Sequence, residues 1–281
     1  MSSPLVSFVI TVYNGAPYLE ACIDNLLHNV AWSPFEIVLV DDGSSDGTAE
    51  IGRRLAAAYP AVRFHAFPRL GRGRALNVAI DLAGGEIIAI QDVDDHTLPW
   101  RLKFTVPYLT DETVALVGGG WIPVPEDHWL ENGPPQVEEP VVPAVVEVRP
   151  VDLYKTCVLC HSGVIFRKSA WRAGGGYSET LISCIDYEFY IRMLAVGRCI
   201  YLPVPVVLFR TTRDTVFKKQ SHKEWLKNLL TVQKVARERL PIPFHARIND
   251  LRPFVRVAIV YGRKLWARHA ERAPAAGPPD Q

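Results

Sequence analysis

Two rhythms of apolar and polar positions alternate along most of the chain. Runs rich in β-branched residues recur at Val6–Val12, Glu36–Val40, Val62–Ala66 and Glu86–Ile90, and such runs predict buried strands. Between them, apolar residues return every three or four positions. Leu19, Cys22, Ile23, Leu26 and Leu27 do so within Tyr18–His28, and similar segments lie near Ala49–Tyr59 and Ala75–Leu82. That spacing predicts helices with one apolar face. Strands alternating with helices across short loops predict a mostly parallel, doubly wound α/β sheet.

After a strand at Val114–Gly119 the rhythm changes. Seven prolines between Trp121 and Pro150 exclude a long helix and predict a loop or hairpin excursion. Regular pattern resumes with a strand at Ser162–Phe166, a turn at Gly174–Tyr177, a helix at Ile185–Leu194 that opens with Asp186, and an extended piece at Ile200–Phe209. Two further helical patterns follow, one through Trp225, Leu226, Leu229 and Leu230, the other through Phe254, Val255, Ala258, Ile259, Leu265 and Trp266. Residues Ala273–Gln281 have the composition of a disordered tail.

Composition adds a charge asymmetry. The 281 residues are 48% hydrophobic, include seven Trp, and carry a net charge of +1, which argues against general nucleic-acid binding. Yet 16 of the 31 Lys and Arg, against 5 of the 30 Asp and Glu, fall between Arg210 and Arg272, so an acidic body is followed by a basic segment. The stripe Phe254–Trp266 is flanked by Arg252, Arg256, Arg263, Lys264 and Arg268. Such a helix either lies on anionic lipid or packs on the body or on a second subunit. Five cysteines are an odd number, which fits reduced thiols in a cytoplasmic protein better than a disulfide framework. Cys157 and Cys160 have the spacing of half a zinc site, but no second such pair accompanies them. Val6–Val12 reads as a strand, not as the core of a signal peptide, and Arg198, Pro203 and Pro205 break the longest apolar run. The sequence therefore predicts a soluble or membrane-peripheral chain.

Candidate chemistry concentrates at the end of the strand Glu86–Ile90, where Asp92, Asp94 and Asp95 precede Pro99 and a helix-like segment. Ligands of parallel α/β sheets bind beyond the carboxyl ends of strands. Three carboxylates there repel one another unless a cation joins them, and oxygen ligands at alternate positions suit Mg²⁺ or Mn²⁺. A solvated acidic turn is the plain alternative.

Three such loops follow successive strands: Thr11-Val12-Tyr13-Asn14, Asp41-Asp42-Gly43-Ser44 and Asp92-Val93-Asp94-Asp95. Their order and placement resemble the family 2 glycosyltransferases of the GT-A fold, and the likeness continues through Asn77, Gly85, Glu86, Gly175–Tyr177 and Asp186–Arg192. It covers roughly Leu5–Phe209. The resemblance implies transfer of a sugar from a nucleotide diphosphate, with a uridine diphosphate sugar as default donor, to an acceptor hydroxyl with inversion. It implies that Thr11, Tyr13 and Asp41 line the nucleoside and that Arg72 and Arg74 face the diphosphate. Asp94 would bind the cation, and Asp92 the ribose or the cation shell. Asp186 aligns with the general base, Ile185 stands where relatives carry Glu, and Glu188 is the spare carboxylate. The plain alternative for Asp186 is an acid stabilising a helix N-terminus. Thr212 occupies the place of a histidine that many relatives hold near the metal, with His222 ten residues on, while His161 either faces the acceptor or is a satisfied core histidine. The Gln-x-x-Arg-Trp motif of processive synthases is missing, which favours single addition.

Rival readings are a haloacid-dehalogenase-type phosphatase, for which His96 stands where Thr is needed, a nucleotidyltransferase, and a non-catalytic sugar-nucleotide binding module. The expected organisation is a catalytic domain over 1–209 (nucleotide-binding half 1–119, acceptor half 120–209), a helical extension over 210–272 and a tail over 273–281. The acceptor, whether lipid carrier, glycan or small metabolite, is not legible. Peripheral membrane contact and homodimerisation through the C-terminal helices both stay open.

Overall fold

A computed structural model of the protein describes residues 5–141, 144–211 and 221–251. Four parallel strands, β1 (Val6–Val12), β2 (Phe35–Asp42), β3 (Val62–Phe67) and β4 (Ile87–Ile90), stand in the order β3-β2-β1-β4. Helices α1 (Ala16–Asn29), α2 (Thr48–Ala58) and α3 (Arg72–Leu82) make the crossovers. The inner strands β1, β2 and β4 are largely apolar because both their faces are covered, whereas the edge strand β3 carries Arg63 and His65 and is only partly buried. Val9, Val38, Ile88 and Ile90 join one core with residues of α3. Phe8, Ile10, Ile37, Leu39 and Ala89 join the other with residues of α1.

Beyond β4 the sheet turns mixed. β8 (Val164–Arg167) lies antiparallel between β4 and β6 (Val114–Pro125), and β9 (Arg198–Thr211) pairs parallel with β6. Short strands β5 (His96–Thr97) and β7 (Val146–Glu147) pair antiparallel with β9. This arrangement decides where the chemistry sits. An antiparallel β8 starts at the edge where β4 ends, so the turn before it, His161–Gly163, lands beside Asp92. The end of β9 reaches the same edge.

The stretch from Trp121 to Pro150 is more ordered than its prolines predict. β6 runs on through Pro123 and Pro125, paired with Phe209 and Thr211 of β9. Its pairing with β8 covers only Leu116–Gly118, so the prolines fall where β6 has one paired edge, the place a missing N–H is tolerated. The short helices α4 (Arg101–Thr105), α5 (Glu126–Asn132), α6 (Pro150–Lys155) and α7 (Lys168–Gly174) complete this half, together with α8 (Ile185–Val196).

Helix α9 (His222–Arg239) packs on α8. Val232, Ala236 and Leu240 are buried with Phe189, Tyr190 and Met193, and Asn228 Nδ2 donates to Ser183 Oγ at 2.9 Å. A capping box between Ser221 and Glu224 sets its start. The stripe Phe254–Trp266, the tail 273–281, Thr212 and the side chain of His222 lie outside the described residues. No helix among the described residues is long and apolar enough to cross a membrane.

Candidate active site

Parallel pairing brings the three predicted loops into one row. β1 and β2 are in register with Val12 opposite Asp41, and β1 and β4 with Val9 opposite Ile90, so Asp92 lies level with Thr11. The loop after β1 is fixed by the one after β2. Asn14 adopts a left-handed φ of 53°, which asparagine tolerates well. Its backbone N–H donates to Ser44 Oγ at 2.8 Å, and its Oδ1 accepts from Ser45 N at 2.9 Å. Asp46 Oδ2 accepts from Ala16 N at 3.1 Å, which satisfies one of the open N–H groups at the start of α1.

At the ends of β1 and β2, Asp41 is buried and accepts from Ser44 N at 3.1 Å. Tyr13 is 50% exposed, with the Arg69 guanidinium 3.7 Å over its ring. Arg69 also pairs with Asp42, which accepts from Leu70 N and Gly71 N as well. Asp42 is therefore occupied in holding the loop before α3, while Tyr13 keeps one ring face away from Arg69.

Around Asp92 the charges interlock. Arg72 Nη2 donates to Asp92 Oδ1 at 2.6 Å, and His161 Nδ1 lies 3.3 Å from the same oxygen. Burial opposes ionisation of Asp92, but Arg72 and then His161 outweigh it and hold the carboxyl well below the usual range. Asp94 has no such partner. Burial and the charge of Asp92 push it up to about 6. Its carboxylate makes no hydrogen bond or ion pair with another described residue. Asp95 is the structural member: it accepts from Ser162 Oγ and from Arg210 N, at 2.5 and 3.0 Å, which ties β4 to β8 and β9. Burial and the neighbouring carboxylates raise its pKa well above the ordinary value.

Arg72 is also acted on from α8. The charge of Asp92 foremost, working against burial, and then those of Asp186 and Asp94, raise its pKa above the ordinary arginine value. Arg72 thus lies in the field of carboxylates from both halves. Arg74, two residues further along α3, lies on another face of the helix and is exposed.

Asp186 is half-buried on the first turn of α8, whose N-cap is Cys184 with a left-handed φ of 58° and no side-chain cap bond. No other described residue hydrogen-bonds to its carboxylate. Glu188 is 1% exposed and its Oε1 accepts from Arg192 Nε at 2.5 Å. Of the two acids on this turn, Asp186 is the one that is partly exposed and whose carboxylate bonds to no other described residue, while the second Glu188 oxygen is buried without a partner.

A fit for a divalent cation rests on Asp94, a half-buried carboxylate between two others, on which the charges of Arg72 and Arg210 act less strongly than burial and Asp92. Among the described residues no three His, Cys, Asp or Glu form a complete metal site. All five cysteines are free.

The sequence model described as Glycosyl transferase family 2 matches residues 7–174, more than half of the chain. The chain belongs to this family. Putative glycosyltransferase EpsE of Bacillus subtilis (strain 168) is 28% identical over 262 residues, 91% of this chain and 90% of that protein. Chondroitin synthase of Pasteurella multocida (strain Pm70) is 28% identical over 200 residues, 69% of this chain. The chain spans only 19% of that synthase's length. Among solved structures, the mannosyltransferase PcManGT from Pyrobaculum calidifontis, in complex with GDP-Man and Mn²⁺, matches with a TM-score of 0.68 at 22% identity, covering 99% of this chain and 77% of that one. S. aureus TarS 1–349 in complex with UDP-GlcNAc matches with a TM-score of 0.67 at 18% identity, covering 87% of this chain and 70% of TarS. At these identities the two structures establish the GT-A fold.

Several residues of this glycosyltransferase site escape a reading of the sequence. Arg69 follows Pro68 with no motif around it, although a lone cation one loop from Asp41-Asp42 is a signal of charge pairing. Arg210 is another. Its guanidinium lies 4.3 Å over Trp129 and 4.9 Å over Tyr18, and its Nε donates to the Asp94 carbonyl at 3.1 Å. Nothing local in the sequence announces a clamp assembled from three distant segments.

Proposed function

We propose that this glycosyltransferase moves a sugar from a nucleotide diphosphate, a uridine diphosphate sugar by preference, onto an acceptor hydroxyl with inversion and one sugar at a time. The observation that supports it most is the ion pair of Arg72 with Asp92 at 2.6 Å, in the row of loops that end β1, β2 and β4, with the Asp94 carboxylate beside it free of any hydrogen bond from another described residue.

In this reading Tyr13 stacks on the base with its free face, Asp41 accepts a base hydrogen bond, and Thr11 lies beside the nucleoside. Arg72 keeps Asp92 in place and turns its remaining N–H groups to the diphosphate, where a planar cation suits paired oxygens. Asp94, with Asp92 beside it, would hold Mg²⁺ or Mn²⁺, which when bound supplies charge neutralisation for the departing diphosphate. Asp186 takes the proton of the acceptor hydroxyl as that oxygen bonds to the anomeric carbon. The bond from that carbon to the phosphate oxygen breaks on the opposite face, and the nucleoside diphosphate leaves with the electron pair. No covalent enzyme intermediate is needed.

A thermal-shift panel of UDP, GDP and dTDP with Mn²⁺ tests the donor side, because a ligand of the native state raises the melting temperature. The expected result is stabilisation by UDP above the others. Stabilisation by none of them would overturn the reading. Nucleotide binding without turnover of any sugar donor would leave a sugar-nucleotide binding module instead.

A further inference from the structure

A line of side chains joins α3 and α8 to the Asp92–Arg72 pair, and the mechanism above makes no use of its members Asn77, Tyr177 and His161. It begins in α3, where Asn77 Nδ2 donates to the Tyr177 carbonyl at 3.0 Å and Asn77 Oδ1 accepts from Tyr177 N at 2.8 Å. The loop of Tyr177 also lies directly on α3: a Cβ on Gly73 would stand 2.0 Å from the Ser178 carbonyl, so glycine is required there. The Tyr177 ring stacks on Phe189 of α8, with centroids 4.0 Å apart and planes at 20°. Its hydroxyl lies 3.2 Å from His161 Nε2. His161 Nδ1 in turn stands 3.3 Å from Asp92 Oδ1 and 3.1 Å from Arg72 Nη2.

The chemistry of these groups limits how they pair. A guanidinium only donates and an ionised carboxylate only accepts, while a tyrosine hydroxyl does either. With the proton on Nδ1, His161 donates to Asp92 and Nε2 accepts from the Tyr177 hydroxyl. With the proton on Nε2, His161 donates to the Tyr177 oxygen and Nδ1 accepts from Arg72. Both arrangements satisfy the imidazole, and each sets a different partner for Asp92 and Arg72. In both, the second nitrogen depends on Tyr177, since His161 and Tyr177 are buried and an unpaired buried nitrogen is costly.

We propose that Tyr177 and His161 are positioning residues that couple the packing of the acceptor helix to the grip of the donor site, so that Tyr177, which touches no donor, sets nucleotide affinity through His161, Asp92 and Arg72. The inference rests on the reading of Asp92 and Arg72 as donor-side residues. It makes the hydroxyl of Tyr177, and not only its ring, functional.

The test is a double-mutant cycle read by calorimetric titration of UDP with Mn²⁺ into the full chain, with melting temperatures taken without nucleotide. Tyr177→Phe keeps the stack on Phe189 and removes the hydroxyl, and is expected to weaken UDP about 3- to 10-fold. His161→Gln should weaken it about 10-fold or more, the usual cost of losing an outer partner of a ligand-holding carboxylate. The double variant should fall short of the sum of the two single effects, because the hydroxyl reaches the Asp92–Arg72 pair only through residue 161. A merely structural role would lower both melting temperatures and leave UDP affinity unchanged, which would overturn the inference, as would strictly additive effects. If Tyr177→Phe does not fold, Asn77→Ser, which loosens the same loop from the side of α3, is read the same way. Wild-type protein that binds no nucleoside diphosphate would count against the functional reading itself. Wild-type binding with an unaffected Tyr177→Phe variant would count against the coupling alone.

Discussion

Glu188 and Arg192 are joined across one turn of α8 at 2.5 Å, while Asp186, half a turn earlier, has no hydrogen-bond partner among the described residues. Sequence offers both acids as candidates for the base, and the pairing separates them. Asp186→Asn is expected to lower kcat by about 10²–10⁴, the usual share of general base catalysis, with donor affinity unchanged. Glu188→Gln should act on stability instead, by about 1–3 kcal/mol in thermal melts, because it weakens a buried charge-assisted bond. Near-normal turnover in Asp186→Asn would end the mechanism. A larger loss of turnover in Glu188→Gln would transfer the role.

Asp94→Ala tests the cation. The side chain has no partner in another described residue, so the fold should survive its loss, while the gain in UDP affinity on adding Mn²⁺ should disappear. Titrations with Mn²⁺ and with EDTA check both points. Undiminished turnover of wild-type enzyme in EDTA would remove the metal from the mechanism.

The same residue should leave a mark on stability in EDTA. Burial and Asp92 push the Asp94 carboxyl up to about 6, while an unfolded aspartate titrates near about 3.9. Between those values the folded chain binds the extra proton, so this group makes stability fall as pH rises through the window. Asp94→Asn removes the contribution. The difference in melting temperature, variant minus wild type, should grow in the variant's favour from about pH 4 to about pH 6 and then level off. A difference that stays flat across that range would show that Asp94 is not held in its neutral form.

The N-terminal half of the fold was legible because its inner strands β1, β2 and β4 are buried on both faces and each crossover helix carries one apolar stripe. Val6–Val12 was predicted and is found as β1 without a shift. The half from Val114 onward was less so. Pro123 and Pro125 read as breakers, yet they sit in β6, because the free edge that tolerates them exists only once β8 has ended. The loops at Tyr13, Asp41 and Asp92 could be placed from strand ends alone. The pairing of Arg72 with Asp92 instead of open solvent, and the clamp of Tyr18 and Trp129 on Arg210, depend on contacts between segments far apart in sequence.

Arg101 gives the sharpest case, and a prediction about the floor of the site. Arginine belongs by default on the surface, yet Arg101 is 0% exposed. Its Nη1 donates to Gln91 Oε1 and Thr97 Oγ1, each at 3.0 Å, and its Nη2 to the carbonyls of Ile90 and Val164 at 2.7 and 3.1 Å. It thereby ties the ends of β4 and β5 to the start of β8 beneath the aspartate loop. Burial lowers its pKa to about 10, which leaves it charged at neutral pH. Replacing a whole buried ion pair with apolar residues can be neutral or stabilising, but here the carbonyls of Ile90 and Val164 would lose the Arg101 donor, while Gln91 Oε1 keeps the Thr97 hydroxyl. Arg101→Met, close in length and uncharged, should therefore cost about 3–5 kcal/mol. Arg101→Lys keeps the charge, yet one ammonium cannot reach both Gln91 and the Val164 carbonyl, so it should recover less than half of that loss. Urea unfolding reads both as a lower midpoint at an unchanged slope. A Met variant within about 1 kcal/mol of wild type would show that the four bonds contribute little, and a Lys variant equal to wild type would show that the charge alone matters.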